Sequence, residues 1–214
     1  MSDIRSVVGV EAPIRSLLFV PASRIDRVQR ARASAANAVI IDLEDAVAER
    51  EKPAARAALA QYLRNAPDDG CPVFVRINAL STPHAREDLE TLRDLPVHGI
   101  VVPKAEPGGL AALTRTTPII AIVETAAGVR GAFDIAQVEG VTALMIGTLD
   151  LAAELGAQPD EDDVALQHAA SVVVLDSAAA GLTQGPIDGA LRRASPRWES
   201  WVSARGASIN MVRR

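Results

Sequence analysis

Ionisable residues recur at the ends of the apolar runs of this chain. Asp42, Glu44 and Asp45 follow Val39–Ile41, and Arg76 and Asn78 close the run that begins at Val73. Lys104 follows Ile100–Val102, Glu124 ends Ile119–Glu124, Asp150 follows the run through Met145 and Ile146, and Asp188 follows Ile187. Carboxylates placed this way suit a hard divalent cation, because Mg²⁺ is typically held by one or two carboxylates and completed by water and substrate oxygens. Glu124 and Asp150 are the candidate metal ligands, since adjacent strands would bring them together. Two like charges at close range are unfavourable unless a cation or a proton sits between them. The competing reading is structural: helix caps and loop salt bridges use the same residues, and Asp150 could cap a helix beginning at Leu151.

Arg76 lies inside an apolar strand pattern and therefore needs an anionic partner. That partner is either a carboxylate of the chain or a substrate carboxylate gripped through two parallel hydrogen bonds. Lys104 carries the same two readings. The Asp42–Asp45 cluster, with Glu44 and Asp45 foremost, offers acceptors for both cations or a general base. His84, His98 and His168 are dispersed and fit surface or core positions better than a ligand set. Cys71 is the sole cysteine, so neither an intrachain disulfide nor a thiolate metal site is available.

The elements that would position these residues alternate. Strands are expected at Ser16–Ala22, Ala38–Glu44, Val73–Asn78, Gly99–Ala105, Ile119–Glu124, Ala143–Thr148 and about Leu182–Ile187. Their apolar runs are continuous, which marks strands covered on both faces and hence a parallel sheet. Helical spacing fills the gaps: Ile25, Val28, Ala31 and Ala35; Ala55, Leu59 and Leu63 after Pro53; Leu89, Leu92 and Leu95; Val129, Phe133 and Ala136; Val164, His168, Val172 and Leu175. Such alternation gives a (β/α) barrel or a doubly wound sheet. No glycine-rich GxGxxG or GxxxxGK[ST] turn follows any strand, which counts against the nucleotide-binding version. After Ile187 the pattern weakens. Gly189–Arg205 reads as a helix interrupted by Pro196, and Ala207–Val212 as a short eighth strand.

The 214 residues suit a single domain, 49% apolar but only 3% aromatic, a composition of close-packed helices on buried strands. A net charge of −5 and the lack of a basic stripe argue against nucleic acid as partner. With neither a leader pattern nor 18 consecutive apolar residues, the expected location is the cytoplasm, away from membranes.

Seven segments in order resemble the citrate lyase β-subunit-like proteins of the aldolase/citrate lyase superfamily, which includes malyl-CoA and citramalyl-CoA lyases. They are RSLLFVP (15–21), IIDLEDAV (40–47), VRIN (75–78), VPK (102–104), IVE (122–124) with Gly128, GTLDL (147–151) and PIDG (186–189). The resemblance implies a TIM-like (β/α)8 barrel, Mg²⁺ as cofactor, and a small carboxylate or 3-hydroxyacyl-CoA thioester as substrate. It matches Glu124 and Asp150 to metal ligands, with Glu124 also beside the substrate, and Arg76 to a substrate-contacting arginine. Glu44 and Asp45 match the acidic motif lining the site, and Lys104 the lysine after the fourth strand. A homo-oligomer, trimer or hexamer, is implied as well. The departure lies at the end. Ala204–Arg214 lacks the Ile-His-Pro segment usual in the family, and Gly189-Ala190 replaces Gly-Pro, so the expectation is a barrel shortened at its C-terminus, with residues 190–214 atypical. The implied activity is cleavage of a 3-hydroxyacyl-CoA to a 2-oxo acid and acetyl-CoA. The alternatives are a non-catalytic or assembly barrel that binds metal and a small dicarboxylate, or an aldolase acting on free hydroxy-oxo acids.

Overall fold

A computed structural model describes residue 14 and residues 16–67, 69–113, 117–158, 163–182 and 187–188. Seven parallel strands lie in chain order: β1 (Leu17–Pro21), β2 (Ala38–Asp42), β3 (Val73–Arg76), β4 (Gly99–Val102), β5 (Ile119–Val123), β6 (Val141–Ile146) and β7 (Ile187–Asp188). The first six fall where the apolar runs place them, though most are shorter than expected, and β7 meets its expected span only at Ile187. The strands end where the polar rim residues begin, because the chain there turns outward to satisfy side chains instead of a ladder. The helices are α1 (Val28–Arg32), α2 (Lys52–Arg64), α3 (Pro83–Leu92), α4 (Pro107–Ala111), α5 (Ala126–Arg130), α6 (Ala132–Gln137), α7 (Thr148–Leu155) and α8 (Val164–Ala179). A 3₁₀ turn at Ala22–Arg27 precedes α1.

The choice between a barrel and a doubly wound sheet is decided by what buries each face. One face carries Val39, Ile41, Val75, Val102, Ala121 and Leu144, packed against helix residues such as Leu59, Leu63, Leu92 and Ile135. The other carries Leu17, Ala38, Ile40, Phe74, Val101, Ile120, Ile122, Ala143 and Met145 in one buried cluster with Ile14, and no helix residue belongs to it. In a flat sheet β1 and β6 would stand about 24 Å apart, at the usual strand spacing. Inner residues from six strands can bury one another only if the sheet curls around them. Sequential strand order with every helix outside completes the description of a (β/α)-barrel architecture. The expected eighth strand at Ala207–Val212 and the interrupted helix at Gly189–Arg205 lie outside the described residues.

Glycine 99 shows how tight the interior is. Its register partner is Phe74, and a Cβ there would sit 2.8 Å from the Phe74 ring and from the Pro118 carbonyl. The largest inner side chain therefore faces a position with none.

Two helical faces differ from expectation. The pattern Val129, Phe133, Ala136 is broken at Gly131 into α5 and α6, so Phe133 rotates out and is 40% exposed while Ala132, Ile135 and Ala136 are buried. On α8 the buried residues are Leu166, Ala169, Val173 and Ser177, and Val164 and Leu175 are exposed. That helix is apolar nearly all round, so more than one face satisfies the same spacing and only packing selects between them. No helix among the described residues is long and apolar enough to cross a membrane.

Gly99→Ala should destabilise the fold by about 1–3 kcal/mol through overpacking, read from the midpoint of urea unfolding. A second substitution, Phe74→Leu, should recover part of that loss, and an additive double mutant would contradict the proposed clash.

Candidate metal and carboxylate site

Strand register sets the first feature of the site. Asp42 and Arg76 are Cα partners at the last step of the β2–β3 ladder, on the inner face above Phe74. Arg76 Nε donates to Asp42 Oδ1 at 2.7 Å and Nη2 to Oδ2 at 2.6 Å, a bidentate pair in which Asp42 is buried and Arg76 half-buried. Its guanidinium carbon stands 5.2 Å over the Phe19 ring from β1, within cation–π range. Asp42 also caps the turn that follows β2, accepting the Glu44 N–H at 2.9 Å and the Ala46 N–H at 3.3 Å.

That turn aims Glu44 at two cations. Oε1 accepts from Lys104 Nζ at 3.0 Å. Oε2 lies 2.9 Å from Arg76 Nη1, at an angle that makes it an ion pair and not a hydrogen bond. Burial pushes the Glu44 carboxyl above the ordinary carboxylate value, and the charges of Arg76 and Lys104 oppose that rise. Asp45, its neighbour, is exposed and faces the cavity. The two residues of the acidic motif thus separate: Glu44 holds cations from behind, and Asp45 is open to a ligand.

Lys104 connects the two halves of the site. It is the non-glycine residue with positive φ (48°) among the described residues, a backbone state that costs about 1–3 kcal/mol and recurs at functional sites. In that conformation its N–H donates to Glu124 Oε1 at 2.8 Å, while Nζ meets Glu44 and, at 3.1 Å, Asp150 Oδ2. Burial lowers the Lys104 ammonium, but its contacts to Glu44 and Asp150 outweigh that and raise it above the ordinary lysine value.

Glu124 follows β5 directly and is 6% exposed. Thr125 caps α5 by accepting the Gly128 N–H at 2.9 Å, which turns the chain sharply after Glu124. Gly147, after β6, makes room for the carboxylate: a Cβ there would lie 2.6 Å from Glu124 Cβ and closer still to its Oε2. Burial pushes the Glu124 carboxyl up to about 7; the Lys104 amide pulls it down, and the charges of Glu44 and Asp150 push it further up. Asp150 does not cap a helix starting at Leu151. It sits in the first turn of α7, whose N-cap is Gly147, and its side chain is 42% exposed. A negative charge is favourable there through the helix dipole.

Asp42, Asp45, Arg76, Glu124 and Asp150 line one cavity, whose mouth also carries Arg24, Arg27 and Arg30 from the turn after β1 and from α1. Those arginines were not singled out as functional from the sequence; a basic cluster one turn past a strand end is the signal that marks them. Among the described residues no three His, Cys, Asp or Glu side chains gather as a metal site. What remains is a two-carboxylate set, Glu124 buried and Asp150 partly exposed beside it, in which the charge of Glu124 calls for a proton or a cation, which is the donor chemistry of Mg²⁺. Two histidines take structural roles, His98 Nδ1 accepting the Val73 N–H at 3.1 Å and His84 pairing with Glu49, and His168 is exposed on α8. Cys71 is half-buried, and burial pushes its thiol up, away from nucleophilic use.

The raised Glu124 value carries a sign. A carboxyl whose folded value of about 7 exceeds its ordinary 4.5 stabilises the fold fully below pH 4.5, and that contribution is lost as pH rises through 7. Metal-free protein should therefore melt progressively lower across that window, and Glu124→Gln should flatten this part of the profile in thermal unfolding. An unchanged slope in the variant would contradict the assignment.

Residues 15–187 match the model of the family described as HpcH/HpaI aldolase/citrate lyase. A (3S)-malyl-CoA thioesterase of Cereibacter sphaeroides is 38% identical over 175 residues, 80% of this chain and 61% of that protein. A citrate lyase subunit beta-like protein of Mycobacterium tuberculosis is 40% identical over 170 residues, 77% of this chain and 60% of that protein. The chain thus spans about three-fifths of the length of these curated relatives. Among solved structures, the M. tuberculosis citrate lyase beta subunit with oxaloacetate and magnesium superposes with a TM-score of 0.78 at 35% identity, covering 94% of this chain and 92% of that one. The CitE protein of the same organism with magnesium, acetoacetate and coenzyme A gives 0.79 at 34%, covering 94% and 77%. Together with the barrel and its carboxylate rim, these likenesses establish that the chain belongs to the HpcH/HpaI aldolase/citrate lyase family.

Proposed function

We propose that this chain binds Mg²⁺ through Glu124 and Asp150 and cleaves a carbon–carbon bond in a 3-hydroxyacyl-CoA, releasing a 2-oxo acid and acetyl-CoA. The observation that carries this reading is the convergence of Arg76, Lys104, Glu124 and Asp150 at one rim, in a chain 34% identical to a protein crystallised with magnesium, acetoacetate and coenzyme A. Bound Mg²⁺ supplies Lewis acidity toward substrate oxygens. Arg76, held by Asp42 through Nε and Nη2 and paired with Glu44 at Nη1, lines the cavity and sets a positive charge toward the substrate acid. Lys104 adds a second positive charge beside it.

The reaction needs a base for the 3-hydroxyl proton. As that proton leaves, the C2–C3 bond breaks, the hydroxyl carbon becomes the carbonyl of the 2-oxo acid, and the electron pair passes into the thioester enolate. Protonation at C2 then gives acetyl-CoA. Asp45 is better placed for the first proton transfer than Glu44, because it is open to the cavity while Glu44 is engaged by two cations. The arginines at the mouth match the phosphates of a CoA moiety in charge.

A second reading rests on the name of the C. sphaeroides relatives: hydrolysis of the thioester itself, releasing free CoA and the intact hydroxy acid. Purified protein with Mg²⁺ and malyl-, citramalyl- or citryl-CoA separates the two. Appearance of a 2-oxo acid with acetyl-CoA supports cleavage, and free CoA with the hydroxy acid supports hydrolysis. If neither forms but oxaloacetate or pyruvate binds tightly, a non-catalytic barrel is the better description.

Arg76→Lys, which keeps the charge but loses the fork, should lower kcat/KM about tenfold to a hundredfold. Gly147→Ala should weaken Mg²⁺ binding in calorimetry by displacing Glu124, with little change at the Arg76–Asp42 pair. Retention of full Mg²⁺ affinity in Gly147→Ala and in Glu124→Ala would rule out Glu124 as a ligand.

A further inference from the structure

The apolar stripe of α2 runs upward from Leu63 through Leu59 and Ala55 toward the rim, and it ends in two buried cations, Arg56 and Lys52. Arg56 pairs with Asp88 at 3.2 Å and with Glu87. Lys52 is different. Its Nζ meets the Leu43 and Glu44 carbonyls at 2.9 Å each and Asn78 Oδ1 at 2.6 Å, three neutral oxygens for three N–H donors, and among the described residues it forms no ion pair. Lys52 is 7% exposed. A buried ammonium whose contacts are all neutral oxygens, with Glu49 feeling its charge only beyond contact, is costly for stability alone, so its placement calls for another gain.

The acceptors show what that gain is. Leu43 and Glu44 are the two residues on which the turn after β2 pivots. The same turn is fixed from the cavity side by Asp42, through the Glu44 and Ala46 N–H groups. Asn78 completes the clamp, donating to the Leu43 carbonyl at 3.1 Å and to Asp88 at 2.7 Å. With both carbonyls held from outside the sheet, the Glu44 Cα–Cβ bond has one direction left, inward to Arg76 and Lys104. We propose that Lys52 is a positioning residue: from behind the sheet its ammonium fixes the Leu43–Glu44 turn, and through Glu44 it sets Arg76 and Lys104 at the rim.

This inference deepens the proposed lyase reading, and its test has one arm that rests on that reading and one that does not. In hydrogen–deuterium exchange of the metal-free chain, Lys52→Met should lower protection of the Glu44 and Ala46 amides about tenfold or more while β5 amides keep theirs. Unchanged protection at those two amides, or an equal loss throughout the sheet, would overturn the proposal. In the activity arm, Lys52→Met should lower kcat/KM about tenfold in the wild-type background but less than about twofold when Glu44→Gln is already present, because both act on the same contacts. A full tenfold loss on top of Glu44→Gln would overturn it as well. If Lys52→Met does not fold, Lys52→Gln carries both measurements with the same expected and contrary results. A wild-type chain with no turnover counts against the lyase reading and leaves the exchange arm to decide on Lys52.

Discussion

Arg76 brings a guanidinium into the top layer of a barrel interior that is otherwise apolar, and Asp42 meets it with both carboxylate oxygens. Asp42 is buried, so removing Arg76 would strand its charge, at about 3–5 kcal/mol. The rest of the rim is arranged around this constraint. Asp42 also caps the turn that carries Glu44, so the residue that neutralises Arg76 shapes the loop that delivers its second anion. Glu44 then holds Lys104, and Lys104 touches both Glu124 and Asp150. Charge alternates along this path, which lets five strand ends share one small volume, and the surplus of anions falls on Glu124.

The same logic explains why small residues sit where they do. Gly147 is not needed for an unusual backbone angle; its φ is −100°. It is needed because Glu124 occupies the space a Cβ would fill. Gly99 likewise answers Phe74 inside the barrel. In both cases the larger side chain belongs to the neighbouring strand, so the glycine and its partner are one packing unit. Strain is concentrated at Lys104, where a left-handed backbone turns the amide toward Glu124 and leaves the ammonium free to reach across the rim.

Membership in the aldolase/citrate lyase family and the barrel architecture agree with each other, yet the chemistry rests on finer detail. Relatives in the family carry names for lyase and for thioesterase activity, so membership alone does not select a reaction. Asp45 faces the open cavity while Glu44 is held by Lys104 and Arg76, so the two adjacent acids stand in different environments.

The order of the strands, the parallel sheet, the rim positions of Arg76, Lys104 and Glu124, and the family motifs were all legible in the sequence. Each is a local signal: a continuous apolar run, an ionisable residue at its end, a short string of residue types. Other features required the tertiary structure. The sequence left open which carboxylate of the chain would meet Arg76, and register supplied Asp42. It grouped Glu44 with Asp45, and the capped turn separated them. Asp150 read as a metal ligand or a helix cap, and packing placed it in the first turn of α7 against Lys104. The face of α8 was misread because an all-round apolar helix offers several equivalent stripes. Lys52 was passed over, although it stands four residues before Arg56 and seven before Leu59 on the buried stripe. A charge on such a stripe signals burial, but what it binds depends on carbonyls eight and nine residues away and on an asparagine from the next strand. Linear spacing carries the period of an element; which groups meet across elements is set only when the barrel closes.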